Sequence, residues 1–138
     1  MIRALLDTNV VLDVLLDRRP HAIASAAVWA AIENRHAEGL LSAHSVTTIY
    51  YLYQKERDSA AAKRAVSALL KVFSVAPVTN DVLTEALQLS MPDFEDAVTA
   101  SAARHSNCTL IVTRDPRGFR ASPVRCLPPG AALPLLLP

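Results

Sequence analysis

Three short apolar runs, each stopping abruptly at a polar group, constrain this chain more than any other feature. IRALL (2–6) runs into Asp7, GLLSA (39–43) into His44 and Ser45, and TLIVT (109–113) into Arg114 and Asp115. Runs this short and this apolar read as buried strands. Longer helical stretches separate them, and such alternation specifies α/β layering around a mostly parallel sheet. In sheets of that kind, ligands sit outside the carboxyl ends of the strands. The residue just after each run is therefore the informative one, and two of the three places hold a carboxylate.

The segments between the runs fill in the layers. Thr8 to Leu16 places Val10, Val11, Val14 and Leu15 on one helical face, with Asp13 and Asp17 outside. Pro20, tolerated in a first turn, opens a second helix to about Ala37, and Gly39 stops it. Ser45–Glu56 and Ser59–Phe73 read as helices, SVAPV as a strand, Asn80–Ser90 as a helix and PVRCL as a weaker last strand. At 138 residues, 51% hydrophobic and 20% charged, the chain is expected to form one domain over 1–138 with a well-filled core. The closing LPPGAALPLLLP, about 127–138, is expected as an apolar, proline-interrupted tail lying on the body or offered to a partner.

Composition excludes some functions. A net charge of +1 gives no global field for nucleic acid or membrane, so local patches must carry any such case. The N-terminus reaches Asp7 too early for a secretory signal, and no run is long enough to span a bilayer. Cys108 and Cys126 lack CxxC spacing and are expected as free buried thiols of a cytoplasmic protein. None of the glycines forms a phosphate-cradling motif.

A third acidic segment joins Asp7 and Asp115. In PDFEDA, Asp93 as N-cap puts Asp96 at the third helical position, on the same end and face, with Glu95 to the side. Taken singly, each acid has an ordinary explanation. Asp7 caps a helix, Asp93 and Asp96 resemble a capping box, and Asp115 before Pro116 opens a turn. Together at one sheet edge they would not be ordinary. Two like charges 4 Å apart repel by about 4 kcal/mol at an effective dielectric near 20. Such a cluster must bind protons or cations, and oxygen-only ligands suit Mg²⁺ or Mn²⁺. His21, His36, His44 and His105 are scattered, and only His44 falls near the proposed mouth.

On LLDTNVVLDVLL, SAHSVTTIYYLY, DFEDAVTASAA and LIVTRDPRGF, taken in this order, the sequence resembles the PIN-domain ribonucleases, particularly the compact VapC-type toxins of toxin–antitoxin modules. The resemblance spans nearly the whole chain. It implies a three-layer α/β/α sandwich, and acids that hold one or two divalent cations, Mg²⁺ or Mn²⁺, activating water to cleave RNA. Asp7, Asp96 and Asp115 would be the metal ligands. Asp93 would be a further ligand, and Asp93 and Glu95 would hold metal-bound water or a second ion. It also implies a cognate antitoxin and a homodimer. The sequence departs from the family pattern twice. Thr48 stands where many members carry a Glu, and Gly118 where an Asp often precedes the Phe.

Substrate would be held by Arg114 and Arg117, with Arg120 and Arg125 nearby and Arg18 and Arg19 as a second patch. Thr8 and Thr48 would orient water or a carboxylate. Tyr50, Tyr51 and Tyr53 are expected to pack rather than stack on bases. Two other readings stay open. A degenerate PIN domain would bind RNA or a protein without cutting, and the missing acid at Thr48 supports it. A haloacid-dehalogenase-like phosphatase would use Asp7 in DTNVV as its nucleophile, but Asn9 replaces the second Asp that it needs.

Overall fold

The computed structural model describes residues 1–138. Five strands, β1 (Arg3–Leu6), β2 (Glu38–Ser42), β3 (Ser74–Ala76), β4 (Leu110–Val112) and β5 (Arg125–Leu127), form one sheet in the order β3-β2-β1-β4-β5. Every pairing is parallel. Seven helices connect and cover them: α1 (Thr8–Leu15), α2 (His21–Glu33), α3 (Ala43–Glu56), α4 (Ser59–Val72), α5 (Asn80–Gln88), α6 (Phe94–His105) and α7 (Pro129–Leu136). A 3₁₀ turn spans Pro116–Phe119.

Strand side chains alternate between two apolar layers, as the pleat requires. Ala4, Leu6, Leu41, Leu110 and Val112 pack with Val10, Val11, Val28, Ile49, Leu69 and Leu136, so α1–α4 and α7 cover one face. Leu5, Leu40 and Ile111 pack with Val82, Ala86, Val98 and Ala102, so α5 and α6 cover the other. The three-layer α/β/α sandwich is therefore present. In α6 every residue from Ala97 to Ala103 is buried, which the small side chains of AVTASAA permit. The one buried hydroxyl there that needs an outside partner, Ser101 Oγ, donates to the Val82 carbonyl at 2.8 Å.

Several local expectations need correction. α2 ends at Glu33 rather than near Ala37, because Arg35 takes a left-handed φ of 62° and turns the chain. Pro20 is the residue before α2, not its first. Gly39 is not a helix stop but lies inside β2. A Cβ there would come within 2.6 Å of Ile32 Cγ2 and 2.8 Å of Phe73 Cδ1, so the backbone crosses under α2 only because the side chain is missing. Gly39→Ala is expected to destabilise by about 1–3 kcal/mol, seen as a lower urea midpoint with an unchanged slope. The closing segment lies on the body, as expected, but as a helix. It supplies the end of β5 and then α7, which buries Ala132 and Leu136 against the body. Cys108 and Cys126 are free, and burial pushes both thiols up to about 11. Tyr51 is exposed under the Lys55 ammonium, 5.3 Å from its ring centre, rather than packed.

Candidate functional site

The strand order reverses direction about β1: the chain adds β2 and β3 on one side, then returns to add β4 and β5 on the other. That reversal opens a crevice beyond the carboxyl ends of β1 and β4. Asp7 and Asp115 follow those two strands. The Asp7 amide continues the ladder by donating to the Val112 carbonyl at 2.9 Å. Its carboxylate is then held on both oxygens. Oδ1 accepts from the Thr8 amide at 2.8 Å, and Oδ2 from the buried Thr113 hydroxyl at 2.9 Å. The same Thr113 oxygen accepts the Asp115 amide at 3.1 Å, so one hydroxyl ties the two acidic positions together.

α6 brings the third segment. Asp93 is its N-cap and accepts the Asp96 amide at 2.9 Å, which puts Asp96 at the helix's positive end. Gly118 shows how near Asp96 and Asp115 come to each other. A Cβ on it would stand 3.3 Å from one carboxylate oxygen of each. Asp7, Asn9, Arg18, His44, Thr48, Glu95, Asp96 and Thr99 line a cleft of about 290 Å³. A larger hollow of about 460 Å³ lies among Met1, Glu33, Arg35, Glu38 and Lys71. It sits where strands β2 and β3 begin, away from the crevice, and gathers no acidic cluster.

Electrostatics sets the cleft apart. Asp96 is pushed up to about 7, first by burial and then by repulsion from Asp7, Asp93, Asp115 and Glu95. Burial also raises Asp7, against the lowering effects of Thr113, Thr8 and His44. His44 is lowered by burial, although Glu95 and Asp7 pull it the other way. A group raised in this manner has a definite effect on stability. Unfolded, Asp96 gives up its proton near 3.8; folded, near 7. Between those values the folded form binds more proton, so this group's stabilisation is complete below about 4 and lost as pH rises through about 7. The thermal midpoint of EDTA-treated protein is expected to fall across that window, and Asp96→Asn to flatten the fall. A midpoint rising over the same window would contradict this account.

A divalent cation fits these residues on two counts. The donor set is all oxygen, with Asp7, Glu95 and Asp96 in the cleft against one arginine, Arg18, and the bare backbone at Gly118 leaves a cradle between Asp96 and Asp115 that a Cβ would fill. In the present rotamers no three His, Cys, Asp or Glu side chains converge closely enough to enclose an ion. Neither the Asp96 nor the Asp115 carboxylate is committed to a hydrogen bond or an ion pair, so both are available as donors.

The remaining expected residues divide. Asp93 and Glu95 are exposed at the rim, as is Arg117 on the 3₁₀ turn. The Thr8 hydroxyl lies 2.6 Å from Ser45 Oγ, and the Thr48 hydroxyl donates to the His44 carbonyl at 3.2 Å, so both are engaged within the protein. Asp13 is corrected outright: expected outside, it is fully buried. Arg114, expected to hold substrate, places Nε 2.6 Å from Asp13 Oδ2. That contact is an ion pair with a poorly aligned N–H, which leaves both Asp13 oxygens and Arg114 Nε without a well-formed hydrogen bond. Sequence reasoning gave too little weight to Thr113, His44 and Asn9. Each lies within three residues of a strand end, which was the available signal. Asn9 accepts the Arg114 amide at 3.4 Å, a structural task at the place where a phosphatase needs its second acid.

An α/β/α sandwich with acids gathered at its switch point matches the profile of the PIN domain over residues 3–117, and the chain belongs to that family. Among curated proteins it is similar to Ribonuclease VapC1 of Aquifex aeolicus (strain VF5), 24% identical over 119 residues covering 82% of this chain and 81% of that one. Among solved structures, Mycobacterium tuberculosis VapC20, a sarcin–ricin loop cleaving toxin, superposes with a TM-score of 0.65 at 17% identity, covering 78% of this chain and 86% of its own. VapBC2 from Rickettsia felis, bound to a promoter DNA fragment, gives a TM-score of 0.73 at 13% identity, covering 92% and 98%.

Proposed function

We propose that the chain is a Mg²⁺- or Mn²⁺-dependent endoribonuclease that hydrolyses RNA phosphodiester bonds. The observation that carries this reading is the meeting of Asp7, Asp96 and Asp115 at the crevice, with Asp96 raised to about 7 by burial and by its acidic neighbours. Asp7, Asp96 and Asp115 would hold the ion directly, and Asp93 and Glu95 would support it from the rim. A divalent ion bound there supplies a nucleophile from water at neutral pH and offsets charge building on the phosphate. Thr113 and the Thr8 amide fix the Asp7 carboxylate where it lines the cleft. Asp93 caps α6 and so presents Asp96. Arg117 is free to meet the RNA backbone beside Asp115.

In the same reading the protein is a single functional domain over 1–138, the toxin of a toxin–antitoxin pair, a homodimer and a cytoplasmic protein. Support for the antitoxin comes from a similar solved structure that is a toxin–antitoxin complex, from Klebsiella pneumoniae. Support for the cytoplasm comes from the two free thiols. No helix is long and apolar enough to cross a membrane. The test is cleavage of tRNA and mRNA pools by purified protein with Mg²⁺ or Mn²⁺, expected to stop with EDTA. Intact, metal-loaded protein that cuts neither pool would count against the reading.

One observation favours a second reading. The Thr48 hydroxyl bonds its own helix, and α3 carries no acid facing the cleft, as a binding domain without catalysis would tolerate. Calorimetric Mn²⁺ titration separates the two, because a scaffold without catalysis should show no saturable site.

A further inference from the structure

Arg18 lines the same cleft as Asp7 and Asp96. Its backbone is fixed at both ends: the amide donates to the Asp13 carbonyl at 2.9 Å, and its carbonyl accepts the Ala22 amide at 2.7 Å. The turn that presents it passes through Asp17 in a left-handed conformation, with φ 49°. Its guanidinium stands 3.8 Å from Asp13 Oδ1, with its side chain 40% exposed and that of Asp13 0% exposed. Asp13 thus lies between two arginines. Arg114 takes the carboxylate at 2.6 Å from the other side. One buried negative charge cannot neutralise two cations, and the closer partner claims it. Arg18 is left with positive charge in excess, on a fixed backbone and at the mouth of an acidic cleft.

A buried ion pair is poor value for stability, since apolar side chains of similar volume usually do as well or better. The Asp13 carboxylate is therefore better explained by what it positions. We propose that Arg18, held by the positioning residue Asp13, binds a substrate phosphate in the cleft, while Arg114 is withdrawn from that task. The inference rests on the ribonuclease reading and singles out Arg18 from the Arg18–Arg19 patch, since Arg19 pairs with Asp17 and does not line the cleft.

The test is binding of a short fluorescein-labelled single-stranded RNA to the full chain, with Ca²⁺ in place of Mg²⁺, followed by anisotropy across a salt series. Arg18→Ala is expected to weaken binding about tenfold and to lower the slope of log affinity against log salt by about 0.7, the share of one phosphate contact on a single strand. Arg18→Lys should restore the slope. The paired change Asp13→Leu with Arg114→Met replaces the ion pair by apolar volume. It should keep or raise the thermal midpoint and still weaken RNA binding severalfold, a combination that a merely structural pair would not give. A salt slope indifferent to Arg18→Ala would overturn the assignment. RNA affinity unchanged in the paired variant would overturn the part given to Asp13. Wild-type protein that binds no RNA would overturn the assignment and the ribonuclease reading together.

Discussion

Asp96→Asn is expected to reduce RNA cleavage by about a thousandfold or more, the scale of losing several kcal/mol of cation-supplied charge stabilisation. The substitution is nearly isosteric. Its fold cost is small, because the Asp93 cap bonds the backbone amide of residue 96 and not its side chain. What changes is charge. Asp96 is the acid most pressed by its neighbours, with Asp7, Asp93, Asp115 and Glu95 all acting on it. Removing it relieves that repulsion, so the EDTA-treated variant should melt higher than wild type near neutral pH while losing its saturable Mn²⁺ site by calorimetry. Stability and activity moving in opposite directions is the expected signature of a functional cluster. A variant that keeps wild-type cleavage, or melts lower at neutral pH, would sink the metal-site assignment.

Arg114→Ala carries the second large effect, on stability. It leaves the Asp13 carboxylate at 0% exposure with only Arg18, 3.8 Å away, to answer it. Breaking one side of a buried pair costs about 3–5 kcal/mol, because the remaining charge stays desolvated. Arg114 is itself partly exposed, which places the expected loss near the lower end of that range. Urea unfolding followed by tryptophan fluorescence would measure it through Trp29, which packs edge-on against Phe73. A loss below about 1 kcal/mol would mean that water reaches Asp13 once the arginine is gone.

The sheet and its acids were legible because their signals are local. The three central strands announce themselves as short apolar runs, and the residues after them lead towards the crevice whatever the loop lengths are. Asp93 and Asp96 were readable as one helix end from their spacing alone. Asp13 was not. Helical periodicity assigns it to the polar face of α1, and only the return of β4 from far along the chain brings an arginine over it. Gly39 misled for a related reason, since glycine after a helix usually marks a stop, whereas here it marks the approach of Ile32 and Phe73 to a strand backbone. α7 was hidden by Pro134, which lies inside a helix supported by packing of Ala132 and Leu136 rather than by intrinsic propensity.

The hydroxyl that joins the acids spans 106 positions of sequence, from Thr113 back to Asp7. During synthesis β1, β2 and β3 emerge in order and can begin to assemble, yet none of them completes a site. The Thr113 link to Asp7 forms only once β4 is paired beside β1. The acidic centre is therefore a long-range product of the fold: no stretch of chain that lacks β4 can hold Asp7 and Asp115 through one hydroxyl.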